Sequence, residues 1–351
     1  MSQFHSLKVA NINKETVDAV SVTFDVPSDL KNDFKYISGQ YLTLKIDING
    51  EDCRRSYSIC SSSSEPLTVA VKQVPDGKMS TYLNNTLKVG DNVEVMLPQG
   101  NFLLEPKVEL TRKFVAFAAG SGITPILSMI KELVSIEPKS EFLLFYANKS
   151  DADTIFKSQL EELTGDKIRV KYIYTRQAAS SSLYEGRISE QKAKELMQSE
   201  ISWLNADAFY ICGPEEMIFG VKDALESSGV LKDKIKFELF TTPVKKNEEA
   251  PAPMDENFDG EAVVTVIYDD EEVEFSLNKD GDTILDAAMD QDLDVPFSCK
   301  GAVCCTCKAK VIEGKVTMDA NYSLSDQEVA DGFILACQAH PASVKVTVDF
   351  D

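Results

Sequence analysis

The run Phe297-Ser298-Cys299-Lys300-Gly301-Ala302-Val303-Cys304-Cys305-Thr306-Cys307 decides how the chain is read. Cys299, Cys304 and Cys307 stand at C-x4-C-x2-C, and Cys337 follows after 29 intervening residues. Four thiolates at this spacing suit a [2Fe–2S] cluster, because iron prefers soft sulfur and two bridged irons need four such ligands. Three ligands come from one tight loop and one from a distant segment, so a cluster staples two parts of a fold. Gly301 stands where a wrapping loop needs positive φ or close backbone approach. Cys305 is a spare thiol and is not counted as a ligand. Structural zinc usually shows paired C-x2-C motifs, and this chain has one such pair beside an x4 gap. Disulfides do not suit a chain with no export signal. A cluster moves one electron at a time, so the rest of the chain is expected to supply electrons singly.

Composition narrows the remainder. A length of 351 residues suggests two or three domains. No apolar run is long enough to span a membrane. The opening Met1-Ser2-Gln3-Phe4-His5 lacks the basic and apolar regions of an export signal, so a cytoplasmic protein is expected. Net charge is −21. Residues 261–351 hold 19 acids against 6 lysines and no arginine, so −13 of that charge sits there. Such acidity disfavours nucleic acid and anionic membrane and suits a basic patch on a protein partner. Only two histidines exist, His5 and His340. Histidine-based nucleophilic or metal chemistry is thereby disfavoured, and the chemistry belongs to cofactors.

Residues 7–105 read as short strands, including Leu7–Ile12, Ala19–Asp25, Gln40–Ile46, Leu67–Gln73 and Asn92–Leu97, with one helix at Met79–Asn85. That pattern predicts an antiparallel barrel. From Lys113 the pattern changes. The apolar run Phe114–Ala119 ends in Gly120-Ser121-Gly122, and Thr124 and Pro125 read as N-cap and first-turn proline of a helix to about Ile136. Strands at Phe142–Ala147, Ile168–Thr175, Ala208–Cys212 and Lys236–Phe240 alternate with helices at Ala152–Leu163, Ser189–Met197 and from Pro214 to about Ser228. Alternating β and α elements predict a parallel sheet covered on both faces. Residues 241–260 hold three prolines and many charges and read as a linker. Beyond it lie strands at Ala262–Tyr268, Val273–Leu277, Lys308–Glu313 and Val344–Phe350, and a helix at Thr283–Asp290. Ser325 and Glu328 read as the capping box of a second short helix.

Two further sites follow from residue chemistry. Arg55-Ser56-Tyr57-Ser58 on a strand offers arginine to a pyrophosphate, tyrosine to stack on an isoalloxazine ring and serine to bond its reactive edge. Gly77-Lys78-Met79-Ser80-Thr81 opens the barrel's helix, where free amides suit phosphate. In the parallel sheet, Gly120-Ser121-Gly122-Ile123-Thr124-Pro125 lies between a buried strand and a helix, the place for a dinucleotide, although Pro125 replaces the third glycine of G-x-G-x-x-G. Cys212-Gly213-Pro214 ends a later strand of the same sheet and should face the Gly120 loop, with Cys212 near the reacting carbon of a nicotinamide. Thr175-Arg176 and Lys149 end two more strands, where basic groups can receive a 2′-phosphate; NADPH is therefore preferred to NADH. FAD and FMN remain poorly separated by these residues.

Together the strings Arg55–Ser58, Gly120–Pro125, Cys212–Pro214 and the four cysteines resemble the ferredoxin–NADP reductase superfamily with a plant-type ferredoxin fused at the C-terminus. The opening Phe4-His5-Ser6-Leu7, Glu94 to Gly100, Asn321 to Leu324 and Val348 to Phe350 resemble, more narrowly, reductase subunits of phenylacetyl-CoA epoxidases. The resemblance implies a flavin-binding β-barrel (1–107), a NAD(P)-binding α/β domain (108–240), a linker (241–260) and an α+β, β-grasp [2Fe–2S] ferredoxin domain (261–351). It implies that Arg55 contacts flavin phosphates, that Tyr57 and Ser58 contact the ring, and that amides of Lys78 to Thr81 hold pyrophosphate. Glu238 and Phe240 are implied to lie by the flavin. FAD, NADPH and a multi-subunit di-iron oxygenase as acceptor are likewise implied. Asn148-Lys149 departs from the expected Asn-Arg. Other acceptors stay open: a Rieske dioxygenase, a steroid hydroxylase or a hybrid-cluster protein. So does a non-catalytic redox sensor or carrier.

Overall fold

The computed structural model describes residues 4–243, 255 and 258–351. Most of the expected linker, at 244–254, 256 and 257, lies outside the described residues. The chain forms two compact units, one of residues 4–53 and 57–240, the other of residues 54–56 with the described part of 241–351.

The first unit opens with β1 (Phe4–Thr16), β2 (Ala19–Asp25), β3 (Tyr41–Ile48), β4 (Glu51–Ser58), β5 (Thr68–Lys72), α1 (Lys78–Asn85) and β6 (Asn92–Met96). The strand order is β4-β3-β6-β1-β2-β5. An antiparallel bridge between Ile59 and Val69 ties the chain beyond β4 to β5 and closes the barrel. Alternate residues point inward, so Leu7, Val9, Val20, Val22, Leu42, Leu44, Val93 and Val95 share one core.

The same unit continues with β7 (Lys113–Ala119), α2 (Ile123–Ile136), β8 (Glu141–Asn148), α3 (Lys157–Leu163), β9 (Ile168–Tyr174), α4 (Glu190–Ser199), β10 (Ala208–Cys212), α5 (Glu215–Ser227) and β11 (Ile235–Glu238). The sheet is parallel, in the order β11-β10-β7-β8-β9. Phe114, Ala116, Ala118, Leu144 and Tyr146 pack against Ile126, Leu127, Ile130 and Leu133 of α2. The alternate residues Val115, Phe117, Phe145 and Phe209 are buried as well, which is why these strands read as unbroken apolar runs. Phe117 stacks on Phe145 at 4.9 Å, worth about 1 kcal/mol beyond area burial. Strand order reverses at β7: β8 lies on one side and β10 on the other. The crevice for a ligand opens at such a switch point, above the C-terminal ends of the strands.

The second unit contains β12 (Glu261–Tyr268), β13 (Glu271–Asn278), α6 (Ile284–Met289), β14 (Lys308–Glu313), β15 (Val316–Met318), α7 (Asp326–Ala330), β16 (Phe333–Leu335), β17 (Ala339–Pro341) and β18 (Lys345–Asp349). Its main sheet runs β13-β12-β18-β14-β16, with β12 and β18 parallel and the other pairs antiparallel. Ile284, Leu285 and Ala288 of α6 enter the core formed by Val264, Val266, Val346 and Val348. The Ser325–Glu328 capping box is present, stabilising the short α7 by about 1 kcal/mol. Among the described residues, no helix is long and apolar enough to cross a membrane.

Two local expectations are corrected, and an alternative left open at Gly301 is decided. Gly120–Gly122 forms a 3-10 turn, so α2 begins at Ile123 and Thr124 lies inside its first turn rather than capping it. The Thr124 hydroxyl donates back to the Ser121 carbonyl at 3.0 Å. The expected helix over 152–163 is broken: Ser150 and Thr154 side chains bond locally, Phe156 takes a left-handed φ of 59°, and α3 starts only at Lys157. At Gly301 the need is close approach rather than positive φ. A Cβ there would overlap the Thr242 hydroxyl, while Lys300 and Ala302 carry the positive φ values of 48° and 64°.

Candidate functional site

The cysteine loop and the segment after β16 bring their sulfurs together in two pairs. The Sγ atoms of Cys299 and Cys304 are 3.1 Å apart. Cys307 and Cys337 form the second pair through a sulfur–sulfur hydrogen bond. A bond from its neighbour holds one thiol of each pair, Cys304 and Cys337, below the ordinary thiol range. Among the described residues, no three metal-ligating side chains converge as a single ion requires. Two pairs of thiols suit two irons, each taking two thiolates. The Gly301 amide donates to Cys299 Sγ at 3.3 Å, the kind of bond that tunes a cluster's potential. Cys305 instead sends its thiol to the Ser323 carbonyl at 3.4 Å.

Strand β4 carries the side chains suited to a flavin. Tyr57 is half-buried and Ser58 is buried. Arg55 is exposed on the same strand, its Nη1 donating to the Arg54 carbonyl at 2.6 Å. The first turn of α1, Lys78 to Thr81, has no side-chain cap and no acidic residue. The amides of Lys78, Met79 and Ser80 are therefore available to an anion, and the helix dipole favours one; the expected fourth, that of Thr81, is already spent on the Gly77 carbonyl at 2.9 Å. A Cβ on Gly77 would collide with Val74 and Ser80, so the tight turn before these amides requires glycine.

Ser58, Cys212 and Glu238 converge from three strands. Ser58 Oγ donates to Glu238 Oε2 at 3.2 Å, and Cys212 and Glu238 are register partners on β10 and β11. Burial, reinforced by the Glu238 carboxylate, pushes the Cys212 thiol well up, so it stays neutral and is no nucleophile. Phe240 follows β11 and is 40% exposed, leaving its ring open to a partner.

The Gly120 turn and the Cys212–Pro214 loop touch. A Cβ on Gly122 would overlap the Cys212 carbonyl, and one on Gly213 would crowd Ala119 and Met217. Residues 120–124 and 212–214 thus form one floor at the switch point, with backbone where a pyrophosphate must approach closely. Thr175 and Arg176 follow β9 and are exposed; their amides bond the carbonyls of Asn148 and Lys149 at 2.9 and 2.8 Å. Lys149 and Arg176 therefore stand side by side at one sheet edge.

Two residues escaped the sequence reading. The Tyr146 hydroxyl donates to the Gly120 carbonyl at 3.0 Å and reaches the Ile155 carbonyl at 3.3 Å, pinning the dinucleotide turn from below. Asn148 is 6% exposed, and its side chain approaches the Tyr146 hydroxyl that pins the turn. Polar tips at the C-terminal end of an apolar strand were the available signal. A separate groove of about 1100 Å³, lined by Ser61, Ser62, Glu65 and Lys131 among others, shares none of these residues.

Comparison with known proteins agrees with this inventory. Residues 6–103 match the oxidoreductase FAD-binding domain, 117–223 the oxidoreductase NAD-binding domain, and 266–342 the 2Fe-2S iron-sulfur cluster binding domain. The chain is 40% identical to a subunit of the 1,2-phenylacetyl-CoA epoxidase of Escherichia coli (strain K12), covering 100% of this chain and 99% of that one. It is 33% identical to the 3-ketosteroid-9-alpha-monooxygenase ferredoxin reductase component of Mycolicibacterium smegmatis, covering 98% and 96%. Phthalate dioxygenase reductase, a modular structure for electron transfer from pyridine nucleotides to [2Fe-2S], shares the fold at TM-score 0.59 and 24% identity, covering 99% and 98%. Three cofactor domains in this order, with full-length identity to oxygenase reductases, give the family: the chain belongs to the ferredoxin–NADP reductase superfamily fused to a C-terminal [2Fe–2S] domain, as an NAD(P)H-dependent oxidoreductase of the reductase-component type.

Proposed function

We propose that the chain takes electron pairs from NADPH and delivers them singly to a multi-subunit di-iron oxygenase of the phenylacetyl-CoA epoxidase type. The observation that carries the choice of acceptor is the 40% identity to the Escherichia coli epoxidase component over all of this chain and 99% of that one. When bound, FAD accepts a hydride and releases single electrons, and the cluster carries them one at a time.

The chain's own residues supply binding, orientation and proton control. Arg55 and the amides of Lys78, Met79 and Ser80 would neutralise the flavin pyrophosphate. Tyr57 lies against the ring. Gly120, Gly122, Ile123, Thr124, Gly213 and Pro214 form the floor on which the nucleotide pyrophosphate rests. The neutral Cys212 thiol packs beside the nicotinamide without competing for hydride. Ser58 offers a hydroxyl at the ring's reactive edge, and its bond to the half-buried Glu238 connects that hydroxyl to solvent for proton exchange. Phe240, exposed just after β11, would lie by the flavin. Thr175, Arg176 and Lys149 receive the 2′-phosphate, which favours NADPH over NADH. Cys299, Cys304, Cys307 and Cys337 hold the cluster. A reducing cytoplasm would keep these four thiols available for the cluster.

Reconstitution tests the acceptor. The purified protein, NADPH and the oxygenase subunits of a phenylacetyl-CoA epoxidase should together form the epoxide. Turnover with a ketosteroid hydroxylase or Rieske oxygenase instead, and none with the epoxidase, would reassign the acceptor. Release of FMN rather than FAD, or faster reduction by NADH, would correct the cofactors.

A further inference from the structure

We infer that Glu132 is a positioning residue for hydride transfer, clamping the helix that begins at the dinucleotide turn to the loop that leaves the flavin strand. The inference rests on the proposed use of a pyridine nucleotide. None of the residues involved belongs to the motifs that marked the cofactor sites.

Helix α2 starts directly after the Gly120–Gly122 turn. Glu132 lies ten residues beyond Gly122, about 15 Å along a helix axis. At that level α2 meets the turn Ser61-Ser62-Ser63-Ser64, which begins three residues after Ser58. One face of the helix supplies three successive contacts. Ser128 Oγ donates to the Ser61 carbonyl at 2.7 Å. Lys131 Nζ reaches both Glu65 carboxylate oxygens, at 3.0 and 3.1 Å. Glu132 accepts from the Ser63 amide at 2.7 Å and from the Ser63 hydroxyl at 2.6 Å. Spacings of three and four residues put all three on one stripe.

The serine turn cannot yield independently. The Ser62 amide donates to Glu65 Oε2 at 2.7 Å, and the Tyr36 hydroxyl donates to the Ser62 carbonyl at 2.6 Å. The far end of α2 is clipped too, since Glu137 accepts from the Lys107 amide at 2.9 Å and from Arg112 at 3.0 and 2.6 Å. Glu132 is only 7% exposed. Burying a carboxylate is costly, and an apolar residue would glue helix to loop more cheaply. Two charge-assisted bonds to one residue fix geometry instead. The geometry so fixed is the approach of the Gly120 floor to the Tyr57–Ser58 strand. Hydride transfer needs reacting atoms within about 3.5 Å, and a misplacement of about 1 Å can cost a hundredfold in rate.

The test uses the full-length, flavin-loaded protein with Glu132→Gln, Ser63→Ala and the double variant. Anaerobic stopped-flow reduction by saturating NADPH should slow about tenfold to a hundredfold for Glu132→Gln and less for Ser63→Ala. The double variant should lose less than the two single losses combined, because both remove one contact. The NADPH dissociation constant, and reoxidation of the photoreduced protein by ferricyanide, should stay within about twofold, since neither depends on the final approach. Unchanged hydride rates in folded, flavin-loaded variants would overturn the proposal. So would a loss that merely tracks flavin content or melting temperature. Should Glu132→Gln not fold, Ser128→Ala and Ser63→Ala carry the same comparison. A wild-type protein that neither NADPH nor NADH reduces would defeat the functional reading itself, a result distinct from failure of the clamp.

Discussion

The cysteine loop and the flavin–nucleotide floor solve the binding of a redox group in opposite ways. Around the cysteines, the proposed ligands are four side chains, three of them inside one run of nine residues. On the floor, backbone amides, glycines and a few polar tips from well-separated parts of the chain share the work, and each adds little. Covalent ligation concentrates information in the sequence and makes failure abrupt. Shape and backbone contact disperse it and make failure graded.

The largest effect should come from the concentrated site. Cys307→Ser removes one sulfur of the second pair and should cost the cluster. Iron analysis should show its loss, and electron delivery to the oxygenase should fall at least about a hundredfold. NADPH-driven ferricyanide reduction, which the flavin serves alone, should persist. Loss of both activities would mean the two regions are not separable.

Next comes the dispersed site at its tightest point. Gly122→Ala would drive a Cβ into the Cys212 carbonyl and part the two loops. Overpacking of this kind destabilises by about 1–3 kcal/mol. Flavin reduction should slow about tenfold or more in stopped-flow, with iron and flavin retained. A normal rate would show that the loops need not touch.

The same contrast explains what was legible. Cysteine spacing identifies ligands without a fold, because sulfur chemistry is local. Strand and helix alternation gave the barrel and the parallel sheet, since burial on one or two faces writes itself into apolar periodicity. The pairing of sulfurs was not legible, because Cys337 reaches the loop only through the order of β14 and β16. Tyr146 carries no motif, since its ring is buried in the core and only its hydroxyl serves the turn. Glu132 gave no signal of its own, because its partner, the Ser63 turn, lies 69 residues away in the chain. Thr124 misled as a cap because a glycine turn pre-empted the helix start.

A smaller effect tests the sheet edge. Arg176→Ala with Lys149→Ala should weaken NADPH binding about tenfold and leave NADH binding nearly unchanged, as competitive titration would read. Equal losses for both nucleotides would place the 2′-phosphate elsewhere. The smallest effect sharpens the concentrated site: Cys305→Ala should leave iron content and electron delivery within about twofold, because its thiol faces the Ser323 carbonyl. Loss of iron there would add a fifth cysteine to the cluster's needs.

Anaerobic titration of the purified protein with NADPH tests the central claim most directly. Uptake of about three electrons per chain is predicted, two bleaching the flavin absorbance and one giving the paramagnetic signal of a reduced [2Fe–2S] cluster. A protein that bleaches its flavin while the iron stays oxidised, or that carries neither group, would contradict it.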